Sequence, residues 1–306
     1  MSDILPTAFP RLYDRQWRQA LQQKSARSRP YVNVTPINGK SKRFHKITKS
    51  TATPITTRFG TTNPDELLYD YRTLFVSFWK DAKRVDRREA MQLGEIGGPQ
   101  EAILMAQRMS ANRNFDQTLV NGLLGVSFEG ENGTTQVALA TTYDIPANYI
   151  KGGTGSNSGL TFAKVLRIKE LMGLNNISGQ SVEGSANIIL LCTHAQLTDL
   201  LTEEKFTSDR YQGVKPLAGD GEIYSLLGIT IVPVDASLLP IDAGGVRTCV
   251  AYSKEHVIFG MAEDITTKVD ELVDGNYDIQ LYAEWGWGAT RIYDEGVLRV
   301  YCDEVL

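Results

Sequence analysis

Gly39-Lys40-Ser41 has the ending of a phosphate-binding loop, in which successive backbone N–H groups wrap the phosphates between a buried strand and a helix. The position five before Gly39 is Val34 rather than glycine, Pro36 removes a needed donor, and KRFHKI does not open a helix. The same residues read better as a turn. Asn38-Gly39 between two alternating runs predicts a type I′ hairpin, with Val32 and Val34 on one strand and Phe44 and Ile47 on the other.

Two other stretches invite chemistry. GGTGSNSG, with Gly153, Gly155 and Gly159, precedes a helix as a dinucleotide-binding turn does. Its third glycine comes one residue late, however, and no buried strand leads into it, so a flexible linker is the better reading. Cys192-Thr193-His194 pairs a nucleophile with a base at a strand end, but a hydrolase also needs an orienting partner and an oxyanion hole. A buried thiol followed by a helix start, with Thr193 as a capping residue, explains it more simply. Cys192, Cys249 and Cys302 are far apart and odd in number, and His45, His194 and His256 are separated, so neither a disulfide framework nor a metal site is expected. The sequence predicts no catalytic residue, no metal and no cofactor.

The charge is more informative than the motifs. Residues 1–58 hold 12 Lys and Arg against Asp3 and Asp14, a net of +10, while the remainder carries −14 and the whole chain −4. From Glu263 to Leu306 there are 11 acids against Lys268, Arg291 and Arg299. A basic front and an acidic body suit either nucleic acid bound at the front or copies of the chain bound front to body. For the first, Lys40, Lys42, Arg43, Lys46 and Lys49 supply charge, with Phe44 and Tyr31 for stacking, although no recognition helix or RNA-binding motif appears. For the second, Asn38, Gly39, Lys40, Lys42, Arg43 and Lys46 are the expected inter-subunit contact, reaching the acidic surface of the next copy. The opening MSDILPTAFPRLYDRQW has no basic segment before an apolar run and no apolar stretch spans a bilayer, so a soluble intracellular product without membrane contact is expected.

The elements that must carry these residues follow from periodicity. Met1 to Pro30 is an arm with too few apolar residues to fold alone. Tyr31 to Trp79 alternates with period two, ending in the strand YRTLFVSFWK, Tyr71 to Lys80. KDAKRVDRREAMQLGEI reads as a charged helix, and Pro99 opens a second. That second helix has its stripe at Ala102, Met105, Met109, Asn112, Phe115, Leu119 and Leu123 and is about 37 Å long at 1.5 Å per residue. Short strands are expected near Val126–Phe128 and Gln136–Leu139, then a helix over Thr161–Leu174. A buried strand over Ala186–Cys192 should run into the helix THAQLTDLLTEEKF. YSLLGITIVPV and VRTCVAYSKEHVIFG read as strands, and the end as a strand, a bend at the alternating Trp and Gly of EWGWGAT, and a final strand.

In order, the segments QQKSARSRPYV, INGKSKRFHKI, TATPITTRFGTTNPDE, DAKRVDRREAM, PQEAILMAQRMSANRNFDQTLVNGLLG and YAEWGWGATRIYDEGVLRVY resemble major capsid proteins of tailed bacteriophages with the Hong Kong 97-type fold. The resemblance implies an α+β protein. Its parts would be an N-terminal arm (1–30), an extended β-hairpin loop (31–70), a peripheral domain with a long spine helix (71–149 and 263–306) and an axial domain (150–262). It implies a structural, non-enzymatic role in the virion: hexamers and pentamers assembling in the host cytoplasm into an icosahedral shell around double-stranded DNA, without sequence-specific contact. The arm is too short to include a scaffolding segment, so the partners implied are further copies, a separate scaffolding protein, a portal complex and an optional decoration protein. Some family members cross-link a loop lysine to a neighbour's asparagine. Lys40 or Lys42 could be so placed, though loop lysines are ordinarily just solvated.

Overall fold

The computed structural model describes residues 23–56, 58, 66–86, 100–130, 132–177, 187–203, 225–272 and 277–304. The chain divides into two compact units, one of Met1–Ser25, Trp79–Arg113 and Ile265–Trp285, the other of Ala26–Phe78, Asn114–Asp264 and Gly286–Leu306.

In the larger unit the buried run Ile188–Cys192 (β10) is the middle of a six-stranded mixed sheet. All five of its residues are buried, as expected of a strand covered on both faces. It pairs in parallel with Ile229–Pro233 (β12) and antiparallel with Val246–Ser253 (β13). β13 in turn pairs antiparallel with Val297–Asp303 (β16), which runs parallel to Asp144–Ile145 (β7). Ser225–Leu226 (β11) forms the other edge. The expected helices are present. Phe162–Leu174 (α2) is capped by Thr161, and His194–Thr202 (α3) by Thr193 in a full capping box with Gln196. Lys164 is buried within α2, and its ammonium donates to the carbonyls of Ser158, Gly159 and Tyr301 at 2.7, 2.8 and 3.0 Å.

The expected hairpin at Asn38-Gly39 does not form. Asn33–Pro36 (β1) pairs in parallel with Ile258–Met261 of Val257–Leu272 (β14), whereas Ser41–Ile47 (β2) pairs antiparallel with Tyr69–Phe75 (β3) in another sheet. A type I′ turn needs positive φ at both central residues, and only Gly39, at +145°, has it. Asn38-Gly39 is thus a corner at which the chain changes sheets. Pairing of β1 with β14 buries Ile37 beside Leu74 and Val76, more apolar area than a two-stranded ribbon offers. The true hairpin is β2 with β3.

Two further expectations are corrected. Tyr71–Lys80 is not one strand: β3 ends at Phe75, and Ser77–Val85 (β4) belongs to the sheet β1–β14–β15–β4, where β15 is Asp278–Arg291. Lys80–Val85, expected to begin a charged helix, therefore continues a strand, helix propensity yielding to edge pairing; the rest of that expected helix lies outside the described residues. EWGWGAT contains no bend, because β15 runs straight through it. Its glycines serve close approach instead. A Cβ at Gly286 would stand 2.6 Å from the Phe78 ring, and one at Gly288 would collide with the Phe75 carbonyl.

Gln100–Leu124 (α1) matches the expected long helix. Its stripe is buried from Met109 through Phe115, Leu119 and Leu123, while Met105 is exposed. In the larger unit Phe115 stacks on Phe259 at 3.9 Å and meets Trp287 edge-on at 5.5 Å. In the smaller unit Gln107 donates to the carbonyls of Asp81 and Leu281, tying α1 to β4 and β15.

Candidate inter-subunit surface

β2 and β3 form a ribbon in register from Ser41↔Phe75 to Ile47↔Tyr69, and Thr48 N–H extends it by donating to Leu68. Strand alternation divides the basic residues between two faces. Arg43, His45 and Ile47 are exposed, whereas Lys42, Phe44 and Lys46 are half-buried on the side that meets the body. The Lys42 ammonium donates to the Pro36 carbonyl at 3.3 Å and stands 5.6 Å from the Phe44 ring. Lys46 pairs with Glu129 at 3.4 Å and stands 5.7 Å from the Tyr293 ring. Asn38, Gly39 and Lys40 are exposed at the corner, and the Lys40 carbonyl accepts from Val76 N–H. Of the six expected contact residues, Asn38, Gly39, Lys40 and Arg43 face outward, while Lys42 and Lys46 are engaged within the chain.

Four residues that the sequence reading did not single out as a site, Arg72, Glu129, Asp294 and Arg291, hold the ribbon's root. Arg72 of β3 is fully buried, with its guanidinium 3.0 Å from Glu129 and 3.1 Å from Asp294, and it donates to the Ile292 carbonyl. Arg291, also fully buried, donates to Asp294 at 2.7 Å and to the carbonyls of Leu123 and Gly125 at the end of α1, where the helix dipole favours a cation. An arginine inside the apolar strand YRTLF was the available signal, since a charge so placed requires a buried partner.

At the end of the ribbon and on the segments that continue from it, large apolar residues are uncovered. Ile55 is 96% exposed, Leu68 70% and Tyr69 64%, with Ile47 and Leu67 beside them in sequence or pairing. The chain spends five large apolar side chains on a surface that its own core does not cover.

The expected acidic face is only partly available. Within their own units Asp264 pairs with Arg29, Asp278 with Arg84, Glu284 with Lys268 and Glu304 with Arg247. Asp270 and Glu271, at the end of β14, are exposed.

The enzymatic motifs lose their geometry. Cys192 is completely buried and burial pushes its thiol up to about 12, so it is protonated at neutral pH, while His194 is exposed and 3.2 Å from Arg27. Cys249 and Cys302 are likewise free and buried. The stretch read as a flexible linker forms a small hairpin of Tyr149–Ile150 with Gly153–Thr154, and the following helix N-terminus is occupied: Phe162 N–H donates to the Glu203 carboxylate at 2.6 Å. Among the described residues no group of three or more His, Cys, Asp or Glu could hold a metal, and no helix is long and apolar enough to cross a membrane.

A two-stranded ribbon that ends in exposed apolar residues suits a building block, and the family model for phage capsid protein matches residues 5–304. The chain belongs to the phage capsid protein family. This capsid protein is a structural component of the virion shell, a major capsid protein of α+β architecture. Solved structures with the same fold include one from Mycobacterium phage Che8, at 14% identity and TM-score 0.68, covering 97% of this chain and 98% of that one. The cyanophage Pam1 capsid asymmetric unit, at 13% identity and TM-score 0.67, covers 99% of each chain. The capsid of Ralstonia phage GP4, at 9% identity and TM-score 0.67, covers 99% of this chain and 98% of that one. A search of curated proteins finds no significant sequence match. Nothing in these comparisons supports the alternative reading of the basic ribbon as a nucleic-acid-binding element.

Proposed function

We propose that this capsid protein assembles as hexamers and pentamers into an icosahedral shell enclosing double-stranded DNA, and that it acts without catalysis. The observation that carries this reading is an exposed apolar set, Ile47 and Tyr69 at the end of the ribbon with Ile55 and Leu68 on the segments that continue from it, which the described residues leave uncovered. Such a ribbon is marginal alone and gains stability by lying on a neighbour. Lys40 and Arg43 give the contact register by meeting acidic side chains of the adjoining copy, and Asn38 and Gly39 shape the corner from which the ribbon departs. Residues 1–30 act as an arm, 31–70 as the reaching loop, 71–149 with 263–306 as the peripheral part, and 150–262 as the axial part at the centre of each ring. Assembly takes place in the host cytoplasm with a separate scaffolding protein and a portal complex, and the DNA is held without sequence-specific contact. Closed symmetry multiplies many modest contacts into a stable shell.

Negative-stain electron microscopy of the purified protein tests the reading. Shells, tubes or hexamer sheets are expected; a monodisperse monomer under all assembly conditions would overturn it.

A further inference from the structure

The ribbon is also held at its root by an ionic bracket built round the fully buried Arg72, and the bracket's wiring is specific. Glu129, on Ser127–Glu129 (β5), takes one cation from each strand of the ribbon, Lys46 of β2 and Arg72 of β3. Arg72 then reaches past β5 to Asp294, in the three-residue turn Asp294–Gly296 that precedes β16. Asp294 is fixed in turn by Arg291, whose other donors are committed to the end of α1 and to the Val137 carbonyl. The Tyr293 ring lies against Lys46, and its hydroxyl is 3.4 Å from the backbone N and O of Ile47. The backbone joins the ribbon to β5 through a short ladder, the pairs Arg72↔Glu129 and Thr73↔Phe128, with Gly130 N–H donating to the Tyr71 carbonyl just beyond it.

So short a ladder, with Leu74 and Phe44 packed at one end of the ribbon, fixes the far end's direction weakly. The charges supply what the ladder lacks, because Arg72 binds two body elements at once and both ribbon strands converge on one carboxylate. A swing of the ribbon about β5 draws Arg72 away from Asp294 and Lys46 away from Glu129, leaving a fully buried guanidinium with Glu129 as its one remaining carboxylate. An apolar residue at position 72 would fill the same space without fixing an angle. We infer that Arg72, Glu129 and Asp294 are positioning residues for assembly: they aim the ribbon so that Ile47, Ile55, Leu68 and Tyr69 meet the neighbour already in their binding orientation. This inference rests on the ribbon's role in subunit contact, but the aim itself is measurable in a single subunit.

The test measures the distance between nitroxide labels at H45C, exposed on β2, and T198C on α3 in unassembled subunits by double electron–electron resonance. The native thiols are buried, so the label goes to the engineered sites. One narrow distance distribution is expected for the parent, a broadened one for E129Q and R72M, and recovery of the narrow one for E129D, which restores the charge. Assembly of E129Q is expected to slow by about tenfold, since an unaimed ribbon must be ordered on binding. Reactivity of Cys192, Cys249 and Cys302 towards a thiol reagent reports the fold, and these cysteines should stay protected in every variant. An unchanged narrow distribution in both E129Q and R72M overturns the inference whatever the assembly result. Exposure of the native thiols in both variants also overturns it, because the bracket would then be part of the core and not an aiming device. Failure of the parent itself to assemble, with the distances behaving as expected, counts against the shell reading alone.

Discussion

Asp116 on α1 accepts from the backbone N–H of Ser28 at 3.1 Å, and both residues are almost wholly removed from solvent. The same carboxylate takes the Arg27 N–H at 3.1 Å and the Ser28 hydroxyl, so a helix side chain does for the incoming arm what a strand partner would do. D116A leaves buried N–H groups without acceptors and should lower stability by about 3 kcal/mol. Limited trypsin digestion after Lys24 and Arg27 should speed up in parallel, and unchanged digestion would show that this segment is held by something other than Asp116.

The glycines of EWGWGAT predict a graded response. At Gly288 an added methyl meets the Phe75 backbone, which cannot move without breaking the ribbon's end, so G288A should cost about 3 kcal/mol. At Gly286 it meets the Phe78 ring, which is 65% exposed and free to turn outward, so G286A should cost about 1 kcal/mol. Urea denaturation of both variants measures the order, and equal costs would contradict the close-approach account.

Those two glycines also show what the sequence could and could not reveal. The Trp-Gly alternation looks like a bend because glycine breaks strands more often than it fills them. Only the position of Phe75 and Phe78, a long way off in the chain, shows that each glycine clears space for another strand. The same holds at Asn38-Gly39, where local turn chemistry was legible but the partner of β1, Ile258–Met261, was not. Elements defined by their own periodicity were read well: α1, α2 with its Thr161 cap, α3 with Thr193, and the buried run Ile188–Cys192. Lys80–Val85 was misread because charged residues at an edge have no period to betray the strand. At the surface site, composition located the basic ribbon, but the division of its lysines into outward and inward faces depends on the register with β3.

That division makes a separate prediction. Reversing Lys40 and Arg43 together, K40E/R43E, should leave stability within about 0.5 kcal/mol, since both are exposed. The same double variant should abolish assembly measured by light scattering. K46E should reduce stability as well, because it sets a carboxylate against Glu129. Normal assembly by K40E/R43E would remove charge from the account of the contact.

Alkaline pH should destabilise the protein progressively. Burial pushes the Cys192 thiol from 9.0 up to about 12, and raises Cys249 and Tyr252 too. The unfolded chain ionises these groups at their ordinary values, so their stabilisation is complete below a pH of about 9 and is lost progressively above it. Lys164, whose pKa burial lowers, acts in the opposite sense over the same range. The urea midpoint should fall between about pH 9 and about pH 12, with a shallower fall in C192V. An identical slope in C192V would mean that Cys192 does not contribute.

The central claim is that the ribbon lies on a neighbouring subunit. The most direct measurement places the photo-crosslinker p-benzoylphenylalanine at Ile55, which is 96% exposed. Irradiation of assembled particles, followed by denaturing electrophoresis, should yield a ladder of covalent oligomers that is absent from dissociated subunits. Crosslinks confined to single chains within intact particles would contradict the account.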